Sequence, residues 1–550
     1  LNKFIFKERI PNLIKIMIFG LIAICMIFKC RYGFSNIDES FYITIPYRIL
    51  QGDNLFKDEW NISLMSAYIT YPFVKLWMLF TNSTEGICLY MRYAFVFVNT
   101  LTAAFVWKRL KRYSEWGAWL ASIAFLIYAP FCVGALSYNS GGLICMVIAL
   151  IIYMQKQNIV DMFIGGYIFG LAVLCCPYSV ILFLYLVIMD VINKRGFKYI
   201  VAFVLGGGFL LIGVIYSILS NMPLEKFIEI ASIMVSGDEE HGVSIISKII
   251  TYPQTILTGN IFNIYFIAIY VVAFILMLVL KEGVRNKLLT LLFYIITVNL
   301  ILSLFIEHYI NKLMFPIAMT GIIFYFYNNV RYRDLLEYVY IPGLIFSLTM
   351  HIQSNQFYYA ITSGSVIMVL ASMVFIYEAF SEFTSADRSI ISHRIGQVGF
   401  YTLVSVFLVG EMFLRIYNVF WEDSIKTQCY RLMAGPEKGL IVSEEKNSLY
   451  NEYYEDVTNN LNSDDEVLFL SDKTYLYLMG GYKNMSYSAW LSGEPANWIN
   501  KLSAYYEFNP EKIPSVIFID KEYSELQDII SEYGYENVVI TEQGNIIYRK

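Results

Sequence analysis

The sequence predicts an α-helical polytopic membrane protein of about thirteen transmembrane helices, closed by a small C-terminal extracytoplasmic α/β domain. Three observations predict it. Of 550 residues, 57% are hydrophobic and only 15% charged, which is more apolar surface than one soluble domain can bury. The apolar residues collect in runs of spanning length, separated by short clusters of Lys and Arg. Near residue 420 the runs shorten and the composition turns polar.

A helix needs roughly 20 residues to cross about 30 Å of hydrocarbon. Runs of that order, some shorter, fall at 12–29, 87–107, 116–133, 140–154, 160–174, 178–192, 199–219, 260–280, 288–306, 312–328, 336–350, 357–379 and 396–414. Pro177 separates the fifth and sixth into a hairpin, because proline cannot donate a helical hydrogen bond and its predecessor avoids the helical region. One kinked span is the alternative. Basic residues arbitrate: with the hairpin, roughly nineteen Lys and Arg fall on one side and roughly nine on the other, as the positive-inside rule requires. The N-terminal Lys3, Lys7, Arg9 and Lys15 precede the first run without a small-residue cleavage site, so an uncleaved anchor with a cytoplasmic N-terminus is expected.

This layout gives a membrane domain over 1–419, with a large first external loop at 30–86 and another at 220–259, and an extracytoplasmic soluble α/β domain over 420–550. In the first loop, Pro72 and Lys75 interrupt the apolar stretch from Leu64 to Phe80, which suits helices lying at the interface rather than a crossing. In the tail, Val467–Leu470 and Val516–Ile519 read as strands, and Leu449–Leu461 and Tyr523–Tyr533 as helices. Gly206, Gly207 and Gly208 lie inside a span, where close helix packing is their natural use.

Several function classes are excluded or unsupported. No basic surface dominates a chain of net charge −5, so nucleic acid is not an expected partner. Phosphate-cradling, zinc-protease and serine-hydrolase motifs are absent, and no nucleotide cofactor is expected. The eight Cys show no CxxC or Cys/His metal spacing.

Ionisable side chains gather instead at the outer ends of the spans: Asp38, Glu39, Arg48, Asp53, Asp58, Glu59, Arg92, Asp238–His241, Glu307, His308, Lys312 and His351. Charges cost far less there than at the bilayer centre, so this pattern points to one site at the outer boundary. The stretch Asn36-Ile37-Asp38-Glu39-Ser40-Phe41-Tyr42, followed by Arg48-Ile49-Leu50-Gln51-Gly52-Asp53 and Asp58-Glu59-Trp60, resembles the first external loop of GT-C glycosyltransferases. It is most similar to the protein O-mannosyltransferase and aminoarabinose transferase group, and the likeness extends to the whole layout of spans and tail.

The resemblance implies transfer of a sugar from a polyprenyl-phosphate donor to a cell-envelope glycan, lipid or protein on the extracytoplasmic face, with inversion at the anomeric carbon. Asp38 maps onto the base that takes the acceptor proton. Glu39 would orient the acceptor or, with Asp38, hold a divalent cation such as Mg or Mn. The leaving phosphate needs cations, for which Arg48 and Arg92 rank first, ahead of Lys312, His308 and His351; these assignments follow from topology. Asp58 and Glu59 are candidates for the acceptor or a second acidic role. Tyr482, Tyr487, Trp490 and Trp498 in the tail are candidate sugar-stacking faces or, equally, its core. Each acid also has a plainer reading as a helix cap or solvated loop residue, and His351 as a polar helix end. An envelope glycan transporter or flippase and a non-catalytic scaffold are the rival functions; a transporter should place ionisable groups or broken helices near mid-membrane.

Overall fold

The computed structural model describes residues 12–550 apart from 36, 157, 236–244, 260, 307–310, 329–330, 386–389, 420–422, 492–497, 522–533 and 536. His308, Glu307, Asp238–His241 and the whole of the helix expected over 523–533 therefore lie outside the described residues. The chain is an α-helical polytopic membrane protein with a small C-terminal sheet domain.

In chain order the helices are α1 (Asn12–Lys29), α2 (Asp38–Leu50), α3 (Ala67–Thr81), α4 (Ile87–Leu110), α5 (Glu115–Ile127), α6 (Tyr138–Gln155), α7 (Ile159–Cys175), α8 (Ile181–Ile192), α9 (Phe197–Leu219), α10 (Leu224–Val235), α11 (Ile245–Thr258), α12 (Asn263–Val279), α13 (Glu282–Leu304) and α14 (Met314–Tyr327). Then α15 (Arg333–Leu335) runs through a π-helical turn at Leu336–Tyr340 into α16 (Ile341–Gln353), and α17 (Phe357–Gly364), α18 (Val366–Ser385) and α19 (Ile390–Tyr417) follow. Each apolar run picked out in the sequence contains a helix, although the helix in 116–133 stops at Ile127 and 357–379 is divided between α17 and α18. Among the described residues, eight helices are long and apolar enough to cross a bilayer, and α11 with α12 forms a pair bent by 95° that makes a ninth if counted as one span. Helices α5, α7, α8 and α14 are apolar but shorter.

Helix α7 stops before Pro177, and α8 returns beside it: Asp190 near the end of α8 pairs with Lys156 just before α7 starts. The hairpin is therefore the arrangement adopted. Helices α7 and α9 cross at two glycines. A Cβ on Gly166 would lie 1.9 Å from the Phe203 carbonyl oxygen, and one on Gly206 would lie 1.9 Å from that of Phe163. Only glycine permits that contact, which lets dispersion between backbones replace the hydrophobic drive that lipid does not supply.

The tail begins with two short antiparallel pairs, β1 (Asn418–Val419) with β2 (Asp423–Ser424) and β3 (Tyr430–Arg431) with β4 (Ile441–Val442). Helix α20 (Glu444–Asn460) leads into β5 (Glu466–Leu470), α21 (Leu476–Met479), β6 (Lys483–Asn484), α22 (Trp498–Phe508), β7 (Val516–Ile519), β8 (Asn537–Ile540) and β9 (Ile546–Arg549). The sheet order is β6-β5-β7-β9-β8, with β6, β5 and β7 parallel and β9 antiparallel to both neighbours.

The tail and the first external loop interlock. The Ile441 amide donates to the Arg31 carbonyl and the Gly33 amide to the Ile441 carbonyl. Trp60 N–H donates to the Tyr487 carbonyl, Tyr505 O–H to the Asp58 carbonyl, and Gln51 to the carbonyls of Gly481 and Tyr482. Phe41, Tyr42 and Ile45 of α2 share a buried cluster with Val467, Phe469 and Phe518 of the sheet. The loop is thus a folded platform on which the tail sits, fixing α2 between the sheet and the helix bundle.

Candidate functional site

Helix α2 opens on Asp38 and Glu39, acids placed where the unpaired N–H groups and dipole of a helix start favour negative charge. One residue of α-helix turns about 100°, so the two carboxylates face different surroundings. Glu39 is 1% exposed and clasped by Arg92 through Nε–Oε1 at 2.7 Å and Nη2–Oε2 at 2.5 Å. Asp38 is half-buried, and among the described residues its carboxylate closes no hydrogen bond or ion pair. Burial, and secondarily the neighbouring Glu39 charge, push it up to about 6. Among the described residues no cation neutralises it.

Around Asp38 stand Tyr42, one turn along α2, and Tyr138 at the start of α6, their ring centroids 5.5 Å apart. Both rings are close enough for the Asp38 charge to act on them. Helix α6 is started by a capping box, Ser137 and Ser140, which fixes Tyr138 and the adjacent Asn139, whose buried Oδ1 accepts no hydrogen bond. Beyond Tyr138 lies Cys176, which acts on it electrostatically and donates weakly to Thr349 of α16. Two residues beyond Thr349, and about 200° round the helix from it, His351 is 2% exposed; its ring nitrogens look toward the backbone of Phe357 and Lys248 without closing a hydrogen bond among the described residues. Lys248 of α11 donates to the Ile352 carbonyl at 2.9 Å and to Asn355 at 3.1 Å. On the opposite side the tail supplies Trp490, half-buried and edge-on to Phe41 at 5.6 Å, while Thr474 holds the α2 start through the Ile37 carbonyl and the Ser40 hydroxyl.

Most of the cations expected to meet a phosphate are engaged within the protein. Arg92 also donates to the carbonyls of Cys30, Tyr32 and Gly33. Arg48, 1% exposed, donates from Nε to Asp53 at 2.8 Å, from Nη1 to Glu59 at 2.7 Å, and from Nη2 to the carbonyls of Asp58 and Ser486. A phosphate would have to displace a carboxylate from either guanidinium, so the leading expectation for these two arginines gives way to a structural role. Lys312 donates to the carbonyls of Leu304 and Ile306, closing the end of α13. Asp58 accepts from the Asn54 amide and Glu59 from Arg48 and the Asn61 amide; burial pushes Glu59 up to about 7. Both acids shape the loop and lie apart from the Asp38 surroundings.

For a divalent ion, Asp38 is the one member of the expected pair with open oxygens, since both oxygens of Glu39 face Arg92. Among the described residues no group of three or more His, Cys, Asp or Glu could hold a metal ion. The pair as placed does not fit a metal site. In the tail, Tyr482 and Tyr487 are buried in the core and Trp498 packs within another cluster; Trp490 packs edge-on against Phe41 of α2.

The sequence reading missed Lys248, Tyr42 and Trp490's adjacency to Phe41, and it also missed Glu437. That glutamate, 0% exposed, accepts from the Cys88 thiol at 2.9 Å near the Glu39–Arg92 pair. Burial, then the Glu39 charge, push it up to about 8. Only Tyr42 carried a local signal, its one-turn spacing from Asp38.

No protein-family model matches the chain, and no curated protein matches it. Among solved structures, the crystal structure of ArnT from Cupriavidus metallidurans bound to undecaprenyl phosphate is 9% identical, covers 98% of this chain and 97% of that one, and superposes with a TM-score of 0.42. Similarity at that level assigns neither a family nor an activity.

Proposed function

We propose that the chain is a membrane glycosyltransferase of the GT-C type, moving a sugar from a polyprenyl-phosphate donor to an envelope acceptor at the outer membrane boundary, with Asp38 as the general base. The observation that carries this reading is the contrast between the two adjacent acids: Glu39 is neutralised by Arg92, whereas Asp38 is half-buried, unpaired among the described residues and poised near neutrality.

In this reading an acceptor hydroxyl lies within hydrogen-bond reach of Asp38. As its oxygen bonds to the anomeric carbon, its proton passes to the Asp38 carboxylate, and the anomeric C–O bond breaks with its electron pair leaving on the lipid phosphate. Base catalysis of this type contributes about 10²- to 10⁴-fold. One base and a direct displacement give inversion. The growing phosphate charge is met by His351, whose ring nitrogens close no hydrogen bond among the described residues, beside α11, whose amphipathic character suits an interfacial helix along which a lipid donor enters. Trp490 and Tyr138 offer apolar faces to the sugars. Radiolabelled polyprenyl-phosphate sugars offered to the purified chain with envelope extract test the proposal: transfer supports it, and absence of transfer with every donor and acceptor tried, against a working control enzyme, rejects it.

A further inference from the structure

A second feature lies at the end of the bundle opposite Asp38. There the turns joining α4 to α5, α6 to α7 and α8 to α9 surround a cavity of about 540 Å³, lined by Arg112, Tyr113, Gln155, Lys156, Arg195 and Tyr199 among others. Tyr199 also lines an adjoining cavity of about 560 Å³ that reaches Lys198, Ile159 and Val160. Together they form a groove.

Its charge is unbalanced. Lys156 pairs with Asp190, which is wholly buried and also accepts from Tyr153 and Tyr338. Arg195 pairs with Asp334 at the rim and stacks 3.9 Å above the Tyr338 ring. Arg112 contacts the ring and hydroxyl of Tyr113, and Lys198 lies against Tyr199. Among the described residues neither Arg112 nor Lys198 meets a carboxylate, and both are exposed. Asp161, at the adjoining cavity, is held by Asn158. Lys156 is fixed in the left-handed region at φ +41°, a conformation a lysine holds only when its surroundings impose it.

The groove opens onto apolar surface. Ile159, Val160 and Phe197, in the first turns of α7 and α9, are 52%, 65% and 75% exposed. Cations at the helix ends above apolar side chains on the lipid-facing turns reproduce the order of a phospholipid, phosphate above acyl chain. The half-buried Tyr113 and Tyr199 sit where amphipathic rings settle at headgroup level. An acidic protein segment would leave the apolar turns unmatched.

We propose that this groove binds an anionic phospholipid, its phosphate held by Arg112 and Lys198 and its acyl chains laid along α7 and α9. The site is independent of the chemistry at Asp38.

The test is native mass spectrometry of the delipidated full-length chain titrated with phosphatidylglycerol or phosphatidylcholine. The wild type is expected to retain phosphatidylglycerol preferentially. The R112Q/K198Q variant, altered only at exposed side chains without carboxylate partners, should lose about 30-fold of that preference, the worth of two interfacial cations. A K287Q/R331Q control removes exposed cations at the same end of the bundle outside the groove and should keep the preference. Equal retention of the two lipids, an equal loss in the control, or displacement of phosphatidylglycerol by millimolar inorganic phosphate would overturn the proposal, the last by revealing a soluble-anion site.

Discussion

Replacing Arg92 by Met separates a structural role from a ligand-binding one. The substitution keeps an apolar stem of similar reach but removes both bonds to Glu39 and the donors to the carbonyls of Cys30, Tyr32 and Gly33. Breaking a buried ion pair from one side costs about 3–5 kcal/mol, because the remaining charge stays desolvated without compensation. The three carbonyls add to that loss. E39M/R92M removes both charges and should recover at least half of it, as apolar replacement of a whole buried pair is often close to neutral. Thermal unfolding in detergent, read as loss of the monodisperse peak, measures both variants beside the wild type. An R92M protein with wild-type thermal stability but weakened polyprenyl-phosphate binding would refute the reasoning and return Arg92 to the donor site.

Four further outcomes follow from the geometry. Because Asp38 titrates at about 6 in the fold, turnover should rise with pH through that value and level off above it, as a pH–rate profile will show. The same shift has a stability consequence: the folded state holds the proton more tightly than the unfolded chain, so stability falls as pH rises from about 4 to about 6. D38N should therefore raise the melting temperature at pH 7.5, by an amount worth at most about 3 kcal/mol and less given its partial exposure, and the gain should vanish near pH 4. Glu437, raised to about 8, obeys the same sign over a higher window: the tail's docking on α4 weakens as pH climbs toward 8, and E437Q should flatten that dependence in limited proteolysis of the tail. W490A should raise KM for the acceptor several-fold with little change in kcat, since Trp490 flanks the site without touching the reacting atoms; an unchanged KM in acceptor titrations would remove it.

Much of the fold was legible because its signals are local. Spanning length and basic flanks are properties of short segments, and each apolar run holds a helix, though 357–379 is divided into two; the strand runs Val467–Leu470 and Val516–Ile519 reappear as β5 and β7 because four consecutive apolar residues before a polar break have few other uses. The partnerships were not legible. Asp38 and Glu39 look equivalent as neighbours, yet a single helical step sends one to Arg92 and leaves the other open. Arg48 and Arg92 do lie beside acids, but a sequence does not show whether a guanidinium's donors are consumed by carbonyls 60 or 438 residues away. A domain boundary near residue 420 follows from composition, whereas the interlock of the tail with the first loop comes from hydrogen bonds between Arg31 and Ile441 or Trp60 and Tyr487, which leave no local trace. Tyr482 and Tyr487 read equally as aromatic faces for sugar or as core, and they are core residues, a distinction set entirely by what covers them.

The central claim is that Asp38, and not its neighbour, takes the acceptor proton. The most direct measurement is single-turnover transfer by D38N beside its binding of the donor lipid. The account predicts a loss of about 10²-fold or more in rate with donor affinity and folding retained; near-wild-type turnover by D38N would contradict it.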